Sequence, residues 1–171
     1  MKKYILLFFL LTFYNISLAE EKVFYLDVNF LLTQSDAGKY INTELKKINN
    51  KNIEEYKKIE NSIKNEEEKL LKQKNILKEE EFNAKVKKLK EKYNSYQELK
   101  KTKNNDLKKL RDNAGNQILV IINEILSEYS LKNKISLIIE KKNIIIGKTE
   151  LDITKNILEL LNSKIKKVEL K

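Results

Sequence analysis

The chain has 171 residues, 35% of them charged, a formal net charge of +10 and neither cysteine nor histidine. That composition removes thiolate and imidazole metal sites, cysteine nucleophiles, histidine-dependent triads and a lipoprotein's acylated cysteine. With no Gly-rich loop to hold a phosphate, it argues against an enzyme, and it calls for no cofactor.

Met1–Ala19 has the three parts of a secretory signal. Lys2 and Lys3 form the positive start, Tyr4–Ile16 is the apolar run, and Ser17 and Ala19 supply the small residues of a cleavage site. The alternative is a retained membrane anchor. The apolar run is short for a span of ~20 residues, and Glu20-Glu21 follow at once, so cleavage after Ala19 is the expectation. The mature chain then lies outside the cytoplasm.

Lys22 to Leu32 (K-V-F-Y-L-D-V-N-F-L-L) opens as a β-strand, Val23–Val28. A lone strand leaves its backbone donors and acceptors without partners, so a second must come from elsewhere. Asn29–Thr33 can make a helical turn, and Ser35 or Asp36 can cap a longer helix. From there Ile41, Leu45, Ile48, Tyr56, Ile59, Ile63 and Leu70 recur at helical spacing. The stripe is narrow, nearer a coiled-coil seam than a globular core face. Its phase is lost between Lys72 and Glu81 and resumes at Phe82, Val86, Leu89, Tyr93 and Tyr96; Lys100 and Lys103 interrupt it before Leu107, Leu110 and Ala114. Glu79, Glu80 and Glu81 suit a helix N-terminus, where the macrodipole favours negative charge. The pattern predicts helices over 36–74 and 79–130 with a turn near Asn75–Lys78, hence an antiparallel hairpin about 60 Å long at ~1.5 Å per residue.

The returning chain meets two β-branched runs, Ile135–Glu140 and Asn143–Gly147, separated by Lys141-Lys142. They read as a β-hairpin that supplies the missing partner of the first strand. Asp152 or Thr154 can then cap a last helix carrying Ile157, Leu158, Leu161 and Ile165. The fold class is therefore mainly α with a small β body (α+β), from which a long helical hairpin projects. Residues 20–34 and 131–171 form the body and 35–130 the arm. The first strand is apolar on both faces, with Val23 and Tyr25 on one and Phe24, Leu26 and Val28 on the other. So small a body cannot cover them all, which predicts a homo-oligomer joined through Phe24, Leu26, Val28, Leu137, Ile138 and Ile139.

The order of these segments resembles the OmpH-like, or Skp, family of periplasmic chaperones. The likeness lies in the L-D-V strand, the S-D-A-G-K lead-in to the first long helix and the L-D-I-T-K-N-I-L ending. It spans the mature chain, although the arm matches only in character. The resemblance implies a homotrimer whose arms enclose a cavity, and ATP-independent holding of unfolded outer-membrane proteins in the periplasm before insertion. It carries over no catalytic residue.

Charge is unevenly placed. Cleavage at Ala19 removes Lys2 and Lys3 and takes +10 to +8; Lys69–Lys90 holds eight lysines against three glutamates, a balance of +5, while Lys51–Glu68 balances to −2. Most of these charges serve a solvated helix surface, with i,i+4 pairs such as Glu54–Lys58 and Glu81–Lys85. The excess at the tip, at Lys72, Lys74, Lys78, Lys85, Lys87 and Lys88, can in addition steer acidic clients or meet an anionic membrane or lipopolysaccharide surface. Phe82, Tyr93 and Tyr96 read as seam packing, with client contact the lesser reading. Two other classes compete with a holdase. A scaffolding coiled coil of the cell envelope would need no strand body. A nucleic-acid binder would match the pI near 9.4, but the export signal and the interleaved glutamates oppose it, and no nucleic-acid partner is expected.

Overall fold

The computed structural model describes residues 22–171; the expected signal segment Met1–Ala19 lies outside them. Strand β1 covers Lys22–Leu26 and helix α1 Val28–Gln34. Helices α2, Asp36–Gln73, and α3, Glu79–Asn133, form the arm. Strand β2 follows at Ile135–Glu140, then 3-10 turns at Lys141–Asn143 and Thr149–Leu151, and helix α4 at Thr154–Lys164.

The first two helices start at side-chain caps. Asp27 ends β1 because its Oδ1 accepts from the Phe30 N–H at 2.8 Å, capping α1. Val28 is thus the first residue of a helix and not the last of a strand, which corrects the expectation for that residue. One turn on, the buried Ser35 caps α2 by accepting from the Gly38 N–H at 3.1 Å. At the far end Ile76 and Leu77 both donate to the Gln73 carbonyl at 3.0 Å, closing the turn. Lys78 offers α3 no side-chain cap, and Glu79–Glu81 stand in the first turn instead. With 38 residues at ~1.5 Å each, α2 is about 57 Å long.

The sheet departs from expectation. β1 and β2 pair in parallel, with Phe24 opposite Ile138, Tyr25 opposite Ile139 and Leu26 opposite Glu140. A parallel pair needs a crossover, and here the whole helical arm provides it. The expected hairpin across Lys141-Lys142 does not form. Two-residue hairpin turns want positive φ, as Asn-Gly provides, and neither lysine adopts it; these residues make a 3-10 turn. Ile144–Gly147 stays outside the sheet, with Ile145 and Ile146 almost fully exposed. The other edge of β1 is met by Asp152 in an isolated bridge to Tyr25, while the Ile153 N–H donates to the Tyr25 carbonyl at 2.9 Å.

The core gathers at the root of the arm. Leu26, Leu31, Ile41 and Leu45 meet Ala114, Ile118, Ile122 and Ile125 of α3 and Ile153, Ile157, Leu161 and Val168 from the C-terminal segment. On α3 these positions follow helical spacing and present one stripe. Asp152 ties this region together. Burial alone would raise its pKa, but hydrogen bonds from Lys141 and Thr154 outweigh that and hold it below the usual carboxylate value.

Candidate functional site

Three surfaces qualify: the tip, the seam along the arm, and the outer face of the sheet. At the tip Lys72, Lys74, Lys78, Lys85, Lys87 and Lys88 are exposed and none forms an ion pair among the described residues. Lys85 and Lys88 line a groove of about 310 Å³ together with Glu66, Lys69, Leu70, Gln73 and Leu89. Lys85 also donates to Gln73 Oε1 at 2.9 Å across the arm. Lys72, Lys74, Lys78 and Lys87 are not part of that groove's lining. Exposed apolar side chains accompany the charge, with Leu71 at 64% and Ile76 at 80% of full exposure. A surface with both cations and uncovered apolar groups can draw in an acidic chain and then hold its apolar segments without a shaped pocket.

Along the seam, apolar burial is thin. Between Leu45 and Leu70 the one fully buried residue of α2 is Asn52, and on α3 none lies between Tyr96 and Ala114. Val86 and Tyr93, both on the expected stripe, are 40% and 50% exposed. Phe82 and Leu89 are half-buried, and Tyr96 is buried. In place of a continuous apolar seam there is a cluster that periodicity does not signal. The Tyr96 ring meets Tyr56 edge-on, centroids 6.1 Å apart, and its hydroxyl donates to Glu60. Lys100 Nζ lies 5.2 Å from the Tyr96 centroid and 5.8 Å from that of Tyr56. Burial, then the Glu60 carboxylate, pushes the Tyr96 pKa up to about 12, so it stays a neutral donor. Lys100 and Lys103 interrupt the apolar repeat, yet both reach across the arm, Lys100 to Glu60 at 3.9 Å and Lys103 to Glu55 at 3.0 Å.

On the body, the six residues expected at a subunit interface divide. Leu26 is in the core, and Phe24, Val28 and Ile138 pack against it. Ile139 is half-buried beside Tyr25, whose hydroxyl donates to the Lys148 carbonyl at 3.1 Å. Leu137 pairs with Val23, and these two remain 52% and 37% exposed on the outer face. The described sheet has two strands, so the outer edge of β2 has no strand beside it. Among the described residues no group of three or more acidic side chains is placed to hold a metal, and no helix is long and apolar enough to cross a membrane.

Residues 22–161 match the family model for outer membrane protein (OmpH-like). No curated protein matches the sequence. Among solved structures, the chain is similar to the crystal structure of an OmpH-like outer-membrane chaperone candidate from Caulobacter crescentus CB15. That likeness has a TM-score of 0.79 at 18% identity and covers 88% of this chain and 89% of the other. The structural likeness shows a shared fold, and the family match over most of the sequence fixes the kinship: the chain belongs to the OmpH-like family.

Proposed function

We propose that this protein is an ATP-independent holdase of the periplasm, exported by Met1–Ala19, that binds unfolded outer-membrane proteins and keeps them from aggregating. The observation that carries this reading is the long two-helix arm set on a small strand-paired body, with a seam that leaves apolar side chains half covered along its length. Holding an unfolded chain takes many weak, non-directional contacts, which such an arm offers and a rigid pocket does not.

Three copies would join through the body, residues 20–34 and 131–171, and the arms of residues 35–130 would enclose the client. Support for association comes from Val23, Leu137, Ile145 and Ile146, which are exposed in the single chain, and from the outer edge of β2, which has no strand beside it. The cationic tip would steer clients inward and face anionic membrane or lipopolysaccharide surfaces. The test is to dilute a urea-unfolded outer-membrane β-barrel into buffer with the mature protein and no nucleotide. Scattering should fall to the buffer baseline at stoichiometric protein. Aggregation unchanged from the protein-free control would overturn the proposal.

A further inference from the structure

The middle of the arm poses a register problem. A heptad seam with few buried apolar side chains does not distinguish the correct alignment of two helices from one displaced by seven residues. Here α2 buries only Asn52 between Leu45 and Leu70, and α3 buries nothing between Tyr96 and Ala114. Apolar packing near the core can align the root, but the outer half of the hairpin needs a second fixed point.

We infer that the Tyr56–Glu60–Tyr96–Lys100 cluster is a register lock that sets the alignment of the two arm helices far from the core. Tyr96 contributes the one buried aromatic ring of α3, 4% exposed, seated edge-on against Tyr56. Its hydroxyl has a single acceptor, Glu60, and Lys100 neutralises that carboxylate while lying over both rings. On either side the same alignment gives each reaching lysine of α3 an acceptor on α2. Lys85 meets Gln73, Lys92 meets Glu66 and Ser62, and Lys103 meets Glu55.

A slip of seven residues disturbs this set differently in the two directions. One way, Lys92 faces Ile59, Lys103 faces Ile48 and the Tyr96 hydroxyl faces Ile53. A buried hydroxyl without a partner is costly, and Lys103 loses its acceptor, although Lys85 moves from Gln73 to Glu66. The other way, Gln73, Ser62 and Glu67 still offer acceptors to Lys92, Lys103 and the Tyr96 hydroxyl, and what is lost is the contact of the Tyr96 ring with Tyr56, replaced by Ile63. The buried Tyr96 hydroxyl therefore does here what a buried Asn does in a coiled coil, rejecting the first of these alignments at some cost in stability. The cost is visible: the Tyr56 hydroxyl is buried with no partner.

The absence of native cysteine makes the test clean. Lys69 and Leu89 line one groove and report the observed register; Lys69 with Phe82 reports a seven-residue slip. Each pair is changed to cysteine in the otherwise intact chain and joined with a short bis-maleimide. The within-chain product is separated from between-chain products by mass. In the parent background the Lys69/Leu89 pair should react almost alone. Tyr96→Phe keeps the ring and removes the hydroxyl bonded to a charged acceptor, so the slipped product should rise about tenfold or more. Tyr56→Phe removes only an unpartnered hydroxyl and should leave the ratio unchanged. If Tyr96→Phe lowers helicity as well, Glu60→Gln, which keeps an acceptor and loses the charge, should give a rise smaller than Tyr96→Phe at full helicity. Equal cross-linking ratios in Tyr96→Phe, Glu60→Gln and the parent would overturn the lock.

Discussion

Two glycines, both inside arm helices, should respond to the same substitution with opposite signs. A Cβ added at Gly38 would stand 2.0 Å from the Leu32 carbonyl oxygen and 2.8 Å from its carbon, both backbone atoms of α1. Nothing lies within 4 Å of a Cβ at Gly115. Alanine in a helix interior is favoured over glycine by about 0.5–1 kcal/mol, and Gly115→Ala should gain that amount. At Gly38 the same gain is opposed by a clash that only movement of α1 can relieve. From 2.0 Å the carbonyl oxygen must retreat by about 1.4 Å to reach ordinary contact at 3.4 Å, and forced overpacking of this kind costs about 1–3 kcal/mol. The surroundings leave little room, since Leu31, Ser35 and Ala37 are all at 0% exposure. For so close a contact the upper part of that range applies, about 2–3 kcal/mol, so Gly38→Ala should lose about 1–2 kcal/mol net and stand about 2–3 kcal/mol from Gly115→Ala. Urea unfolding followed by far-UV circular dichroism, at one protein concentration for all variants, gives the comparison. Hydrogen exchange at Leu31 and Leu32 locates the loss. A Gly38→Ala variant as stable as the parent would refute the close approach of α1 to α2.

Tyr96 should titrate well above the ordinary tyrosine value. With its pKa raised from 10.0 to about 12 by burial and Glu60, its stabilising effect is full below pH 10 and is lost as pH rises through about 12. Ultraviolet titration should show a late phenolate component that Tyr96→Phe removes, and a single transition near pH 10 would contradict its burial. Lys134 ends α3 in the left-handed conformation, φ 54° and ψ 48°, so Lys134→Gly should raise stability by about 1 kcal/mol in the same urea assay. A loss of stability there would mean that the lysine side chain, not its backbone, holds the helix end. Replacing Lys72, Lys74, Lys85, Lys87 and Lys88 by Gln should slow capture of an unfolded barrel at low salt and leave release unchanged, because steering acts mainly on association. Stopped-flow capture as fast as the parent's would assign these lysines to solubility alone.

The helices of the arm were legible because their signals are local. Ser35 caps α2, three glutamates open α3, and the apolar stripe loses phase at the turn. The β-region was legible in composition but not in pairing. Val28 extends an alternating apolar run, yet Asp27 three residues before Phe30 is also a helix cap, and the cap prevails. Ile144–Ile146 has the β-branched character of a strand but lacks turn residues that could fold it back onto Ile135–Glu140. The mid-arm cluster was hidden for a different reason. Lys100 reads as a break in an apolar stripe, although its ammonium lies over Tyr56 and Tyr96 and makes it part of the seam. Glu60 lies between apolar positions of α2, and only the register of the folded hairpin brings it to Tyr96.

Native mass spectrometry of the mature protein mixed with one urea-diluted outer-membrane β-barrel decides whether three copies enclose one client. The expected product is a complex of three copies of this chain with one unfolded barrel, formed without nucleotide and dissociating when the barrel folds into a membrane. A folded single chain that forms no complex, or one that binds the barrel as a monomer, would contradict it.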